Sequence, residues 1–164
     1  MPSTTPEAIR DRAIAVIEAL VPARGDARFR AYRNERGANF EEWSKQQAAA
    51  CRRRFQVRTS GRSRAPTVSN TDHEEHWLTL HILIAYPQTH RDGRGAALDR
   101  DDTADADAFQ IDKAIGMLGK ANFTSPFPDA TWHEDSPGIT ERIEDDGVDF
   151  VEIEYVMFYK RARF

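Results

Sequence analysis

The sequence predicts an α+β fold, in which an antiparallel β-sheet of about four strands has helices packed on one face. Two segments repeat apolar residues at helical spacing, and three segments alternate apolar and polar side chains as strands do. The elements follow one another in the order α-α-β-β-α-β-β. Packing the helices against one side of an antiparallel sheet buries every apolar stripe, so residues 1–164 are expected to form a single domain.

The first helix has both a start signal and a stop signal. Thr5 supplies a hydroxyl cap, and Pro6 stands where its missing N–H costs nothing. Pro22 ends the run. The apolar residues in between repeat at helical spacing: Ile9, Ala13, Val16, Ile17 and Leu20.

The next segments are charged or only partly patterned. Residues 23–38 are irregular, with room for a short strand at Phe29–Tyr32. Residues 40–51 predict a second helix in which Phe40 and Trp43 share a face. In "RRRFQVRTSG", apolar and polar residues alternate, which predicts a strand with one polar side.

Residues 76–86 give the clearest strand pattern in the chain. Leu78, Leu80, Ile82 and Ile84 point to one side of the sheet, and Trp77, Thr79, His81 and Leu83 to the other. The turn-rich stretch 60–73 before this strand and the charged stretch 88–102 after it are predicted to be assembly loops. A structureless segment of such length inside a domain is usually functional or disordered.

The C-terminal third contains the last helix and a hairpin. Residues 103–122 predict a helix, with Asp105 and Asp107 in the first turn and Lys120 near the end, as the helix dipole favours. Its stripe is Ala104, Ala108, Ile111, Ile115 and Leu118. Asp146-Gly147 supplies the turn of a β-hairpin. One face of the last strand carries Val151, Ile153, Tyr155, Met157 and Tyr159.

Composition excludes several classes of protein. No stretch approaches the roughly 18 apolar residues needed to span a bilayer, and the N-terminus has no apolar signal region. Cys51 is the single cysteine, so neither a disulfide framework nor a cysteine-built zinc site is possible. Synthesis in a reducing cytoplasm follows.

Charge is unevenly distributed along the chain. Residues 1–64 carry 14 basic and 7 acidic residues, whereas residues 65–164 carry 9 and 20. Six arginines surround one predicted strand and the loop after it: Arg52, Arg53, Arg54, Arg58, Arg62 and Arg64. Because arginine can bind either phosphate or carboxylate groups bidentately, this cluster fits either DNA or an acidic protein surface. The cluster has few interleaved aromatic residues, which favours protein contact over base recognition.

The patterns for metal and catalytic sites are weak. The five histidines form no His-x-His pair and no HExxH motif, so no metal site is predicted from them. Glu152 and Glu154 share a strand face and could hold Mg²⁺ as in a nuclease, but the chain has no Glu-x-Lys triplet. Cys51 has no nucleophile signature around it, and no glycine-rich phosphate loop occurs. No catalytic residue, metal or cofactor is therefore expected.

The order of elements resembles the tail terminator proteins of long-tailed bacteriophages, the lambda-like minor tail family that caps the tail tube. The segments that carry the resemblance, in chain order, are "TPEAIRDRAIAVIEALVP", "RFQVRTSG", "HWLTLHILIAYPQ", "DADAFQIDKAIGML" and "VDFVEIEYVMFYKR". The stretch 26–50 is longer than in the simplest members of that family. The likeness is one of order and pattern across nearly the whole chain.

The resemblance implies a structural virion protein. Such proteins form a six-subunit ring on the head-proximal end of the tail tube, end its polymerisation and join the tail to the neck. The implied partners are further copies of the chain, the tube protein, a neck protein and the DNA that passes through the lumen without sequence-specific binding. No enzymatic activity is implied, and no membrane.

The charge asymmetry suggests how such a ring would be held together. A head-to-tail ring requires each subunit to present two different, complementary surfaces. We expect the six arginines to meet acidic groups of a neighbour or of the tube. The acidic hairpin residues Glu144, Asp145, Asp146 and Asp149 are expected either at such an interface or at the lumen. A head–tail joining protein, a DNA-binding module and a Mg²⁺-dependent nuclease remain alternatives.

Overall fold

The computed structural model describes residues 5–25, 27–33, 37, 39–63, 73–88, 96–116, 130–132, 140–145 and 147–162. These residues contain three helices: α1 (Pro6–Ala19), α2 (Phe40–Gln46) and α3 (Ala96–Gly116). They also contain six strands: β1 (Arg30–Ala31), β2 (Arg54–Ser63), β3 (His73–Pro87), β4 (Ala130–Trp132), β5 (Thr140–Asp145) and β6 (Val148–Ala162). The fold is therefore α+β, as the sequence predicted.

Helix α1 forms where the sequence places it. The Thr5 hydroxyl accepts a hydrogen bond from the Ala8 N–H at 3.1 Å, and Pro6 occupies the first helical position. Ile9, Ala13 and Ile17 are fully buried. A capped start and an apolar stripe at helical spacing thus suffice to fix this element.

The six strands form one mixed sheet. Its order is β1-β2-β3-β6, and β4 and β5 both pair with the other side of β6. Strands β3 and β6 pair antiparallel along their whole length, from His73 opposite Ala162 to Pro87 opposite Val148. Strand β1 pairs in parallel with β2, whereas the other four pairings are antiparallel, so the predicted antiparallel sheet is correct except at this edge. The described residues contain six strands where about four were predicted, and two of the six are only two and three residues long. The chain passes through α2 between β1 and β2, which lets it return in the same direction.

Helices cover both faces of the sheet, whereas one covered face was predicted. We call the face that carries Leu78, Leu80, Ile82 and Ile84 the inner face, and it packs against α1 and α3. The opposite, outer face is covered by α2 at one end only, where Phe40 and Trp43 cluster with Ala85 and Phe150. Phe40 and Trp43 do share a face of α2, as predicted, but they pack on the other side of the sheet.

Helix α3 begins at Ala96, seven residues before the predicted start. Residues 96–102 therefore belong to a helix and not to an assembly loop, since alanine and leucine favour helix there. Asp105 and Asp107 consequently lie within the helix and not in its first turn. Similarly, β2 extends to Ser63 and β3 starts at His73, so both ends of the predicted 60–73 loop belong to strands, and residues 64–72, like 89–95, lie outside the described residues. Among the described helices, none has a long enough apolar stretch to span a membrane.

The C-terminal hairpin agrees with the prediction. Strands β5 and β6 pair antiparallel from Asp145 opposite Val148 to Thr140 opposite Ile153, and Gly147 has a φ of 85° in the turn. That left-handed conformation is one that glycine adopts without steric cost. Val151, Ile153, Tyr155 and Met157 are buried on the inner face. Lys120 and Asp146, like Leu118, lie outside the described residues.

Candidate functional site

An open pocket of about 450 Å³ lies on the outer face of the sheet, next to the end that α2 covers. Its apolar lining comes from Leu83, Ile143 and Phe150. Its polar lining is supplied by α2 and by strands β2, β3, β5 and β6, namely Glu41, Arg58, Thr59, Ser60, His81, Asp145 and Glu152. The pocket exists because α2 is too short to cover the whole face.

One imidazole and two carboxylates meet at this pocket. His81 pairs directly with Glu154 across β3 and β6, and Glu152 lies two residues earlier on the same face. The His81 Nδ1 is 2.9 Å from Glu154 Oε1 and 3.4 Å from Glu152 Oε1. The three side chains are 27%, 43% and 29% exposed, in the order His81, Glu154 and Glu152. Their ligand atoms all lie within 4.8 Å of one another, close enough to surround a single ion.

The second nitrogen of the imidazole also has a partner. The Ser60 hydroxyl of β2 lies 3.0 Å from His81 Nε2. Strand β2 runs beside β3, with Ser60 opposite Thr79 and Arg58 opposite His81, so both side chains project from the outer face. The ring of His81 is therefore held from both sides, by a hydroxyl on β2 and by carboxylates on β6.

Two ion pairs border the pocket. The Arg58 Nη2 donates to both carboxylate oxygens of Glu41, at 3.1 and 3.0 Å. On the other side, Lys45 Nζ lies 2.7 Å from Asp145 Oδ2. Both pairs join α2 to the sheet, so two of the predicted interface residues, Arg58 and Asp145, already have partners within the chain. The Arg58 side chain is still 52% exposed and can reach a neighbour.

Arg53 is a correction to the predicted interface. Its side chain is fully buried, and so is that of Asp107, to which Arg53 donates twice, Nε to Oδ2 at 2.7 Å and Nη2 to Oδ1 at 3.0 Å. The guanidinium also donates to the carbonyl oxygens of Arg24 and Ala27. With every donor direction enclosed by this chain, Arg53 cannot contact another subunit or DNA. Its hydrogen bonds link the segment after α1, at Arg24 and Ala27, to Asp107 of α3.

The remaining predicted interface residues fall into four groups. Arg52 and Arg54 are half-buried, and the Arg54 guanidinium lies 5.4 Å from the ring centre of Trp43. Asp149 is buried and accepts a hydrogen bond from the Gln88 amide at 2.7 Å, so it faces neither a lumen nor a neighbour. Arg62 and Glu144 occupy strand positions in β2 and β5. Arg64 and Asp146 lie outside the described residues.

Sequence reasoning missed the combination of His81 with Glu152 and Glu154. The histidines and the carboxylates were considered separately: the histidines lack the spacing of a metal site, and the Glu152–Glu154 pair lacks the Glu-x-Lys triplet of a nuclease. Alternation did place the two glutamates on one strand face. Only the β3–β6 register, which local patterns do not specify, brings His81 opposite them.

Comparison with known proteins adds no family to this picture. The sequence matches no protein-family model, and the curated proteins also give no match. Function is therefore inferred from the strand edges, charges and side-chain geometry of this chain.

Proposed function

We propose that this protein is a structural virion subunit that assembles with its own copies into a ring, which caps the head-proximal end of a phage tail tube. The ring would end tube polymerisation and present a surface to the neck. Two features support the proposal: the order of elements that resembles the tail terminators, and the opposite charges on the two outer edges of the sheet. The second feature is the observation that carries it.

The first edge is the outer side of β2. Strand β1 pairs only with Arg54 and Phe55. From Gln56 to Ser63, no described residue pairs with that side of β2, and Ser60 and Gly61 are exposed. A row of free backbone donors and acceptors favours pairing with a strand from another chain.

The opposite edge is the outer side of β5. This strand pairs with β6 on one side, and none of the described residues pairs with its other side. Its sequence "TERIED" has three acidic residues and one arginine, whereas β2 has three arginines and no acidic residue. The two edges therefore differ in sign and could attract each other between copies.

Two different complementary edges on one chain give head-to-tail contacts, which close into a ring when the rotation allows. A ring of this kind can stop a tube from growing because one side of the ring would match the symmetry of the tube and the other side would match that of a different partner. The proposed partners are further copies, the tube protein, a neck protein and DNA that passes without sequence-specific contact. The proposal includes no catalytic step.

Charge reversal on β2 tests the proposal. We expect the unmodified chain to form rings, alone or on added tail tubes, as seen by light scattering after size exclusion and by electron microscopy. A variant with Arg58→Glu and Arg62→Glu should fail to do so because its β2 edge repels the acidic edge of a neighbour. The matched control reverses two arginines away from this edge, Arg10 and Arg12, and changes the net charge equally.

Three results would overturn the proposal. The first is a chain that stays monomeric even with tail tubes present. The second is a β2 variant that forms rings as readily as the control, with both variants folded by circular dichroism. The third is loss of ring formation in both variants, because it would show that total charge matters and the edge does not.

A further inference from the structure

We propose that His81, Glu152 and Glu154 bind a divalent transition-metal ion, with Zn²⁺ as the best fit. This site goes beyond the proposed ring and does not depend on it. It also departs from the expectation that the chain holds no metal, which rested on the histidine spacing, the missing Glu-x-Lys triplet and the single cysteine. Three observations support it: the ligand separations, the orientation of the imidazole and the open side of the cluster.

The separations match a small tetrahedral site. Zinc binds histidine nitrogen and carboxylate oxygen at about 2.0–2.2 Å, so neighbouring ligand atoms in a tetrahedron lie roughly 3.3–3.5 Å apart. The His81 Nδ1 is 3.4 Å from Glu152 Oε1 and 2.9 Å from Glu154 Oε1. A movement of roughly 0.5 Å at the flexible end of Glu154 would bring its oxygen to the tetrahedral separation from Nδ1, and the two glutamate oxygens lie within 4.8 Å of each other.

The imidazole is already oriented for binding through Nδ1. Metal-bound histidines usually have their second ring nitrogen hydrogen-bonded to another group, which fixes the tautomer and the ring plane. In this chain that group is the Ser60 hydroxyl, 3.0 Å from Nε2, on a different strand from the ligands. When Nε2–H donates to the Ser60 oxygen, Nδ1, which lies 2.9 and 3.4 Å from the two glutamate oxygens, is left to bind the ion.

The cluster also has the charge and the access that an ion requires. Two carboxylates and one imidazole leave negative charge that a divalent ion neutralises, and the arginine of the pocket, Arg58, is held by Glu41 at 3.0 and 3.1 Å. His81 and Glu152 line the open pocket, so a fourth ligand, either water or a small anion, can approach from there. A nitrogen ligand favours zinc over magnesium and calcium, which prefer oxygen.

Metal titration of the chelator-treated full chain tests this inference. We expect one Zn²⁺ per chain by calorimetry, and Co²⁺ should give the intense visible absorption of a tetrahedral complex. The His81→Ala and Glu154→Gln variants should each bind Zn²⁺ at least tenfold more weakly, since loss of even a supporting group costs about 10- to 100-fold. For the same reason, Ser60→Ala should weaken binding about tenfold without changing the stoichiometry.

The matched control is Glu42→Gln, which removes an exposed carboxylate from α2 but leaves the cluster and the Glu41–Arg58 pair intact, and should leave zinc affinity unchanged. Folding of every variant is checked by circular dichroism, and Glu154→Gln keeps the test valid if His81→Ala fails to fold. The inference is overturned if the unmodified chain binds no stoichiometric zinc, or if both ligand variants bind zinc as well as the control. Zinc held by other histidines would give that second result.

Discussion

The two faces of the sheet hold similar charged groups at very different depths. On the inner side, Arg53 and Asp107 form an ion pair with both side chains fully buried. On the outer face, His81 with Glu152 and Glu154 forms a cluster whose side chains are 27–43% exposed. The difference follows from the helices, because α1 and α3 lie over the inner face and α2 covers only one end of the outer face.

Depth determines what each group can do. A buried ion pair must satisfy its own donors and acceptors, because water cannot. Asp107 accordingly accepts from Arg53 and, at 2.8 Å, from the Tyr86 hydroxyl, while the carbonyl oxygens of Ala27 and Arg24 accept from the Arg53 Nη1 and Nη2. Such a group stabilises the fold and cannot take up a ligand. The exposed cluster contributes little to folding and can accept an ion from solvent.

The largest expected effect is on the inner side. Asp107→Asn should lower the free energy of unfolding by about 3–5 kcal/mol, because it leaves the Arg53 charge buried without a counter-charge. Urea denaturation followed by circular dichroism measures it. Asp102→Asn is the control on the same helix, where the Arg24–Asp102 pair at 3.4 Å is largely exposed. It should cost no more than about 1 kcal/mol, and equal losses in the two variants would contradict the contrast in depth.

The covered end of the outer face contains a buried titratable group, which tests the effect of depth within that same face. Cys51 is fully buried, its thiol donates to the Ala48 carbonyl at 3.3 Å, and burial raises its pKa from 9.0 to about 11. The unfolded chain ionises this thiol at a lower pH than the folded chain. Its contribution to stability is therefore complete below pH 9 and is lost as the pH rises to 11.

We expect the free energy of unfolding to fall by roughly 2 kcal/mol across that window through Cys51, at about 1.4 kcal/mol per pKa unit. Burial and the nearby Asp112 also raise the pKa of Tyr155, on the inner face, so the unmodified chain will lose further stability at high pH. Urea denaturation of the unmodified chain and of Cys51→Ala at each pH separates the contributions of Cys51 and Tyr155. The difference between the two chains in the free energy of unfolding comes from the thiol, because both keep Tyr155. A constant difference from pH 8 to 11 would mean that this thiol is not buried.

Local patterns predicted the elements whose signals lie within one segment. The Thr5 cap, the inward residues of β3 and the glycine turn of the last hairpin each follow from spacing and turn chemistry. The two-residue β1 and the three-residue β4 are too short to show alternation. The sequence predicted the apolar side of α2, but the pattern of an amphipathic helix does not indicate which face of the sheet the helix covers.

The candidate site depended on information that no single segment contains. Six arginines in one stretch predicted a surface, yet Arg53 has a φ of 56°, and its side chain is directed into the interior to meet Asp107, 54 residues away. A left-handed arginine has no sequence signal. The opposite error concerned His81. The spacing of the histidines argued against a metal site, but the strand register places His81 beside Glu152 and Glu154.

The smallest expected effect tests the outer cluster itself. In the presence of a chelator, His81→Ala should change the free energy of unfolding by no more than about 1 kcal/mol, because partly exposed ion pairs gain little beyond what water offers the same charges. With zinc added, the unmodified chain should gain about 2.7 kcal/mol at a zinc concentration 100 times its dissociation constant, and the variant should gain far less. Urea denaturation under both conditions measures the two differences. A loss of 3 kcal/mol or more without metal would make His81 a structural residue like Arg53, and the two faces would then differ in exposure but not in role.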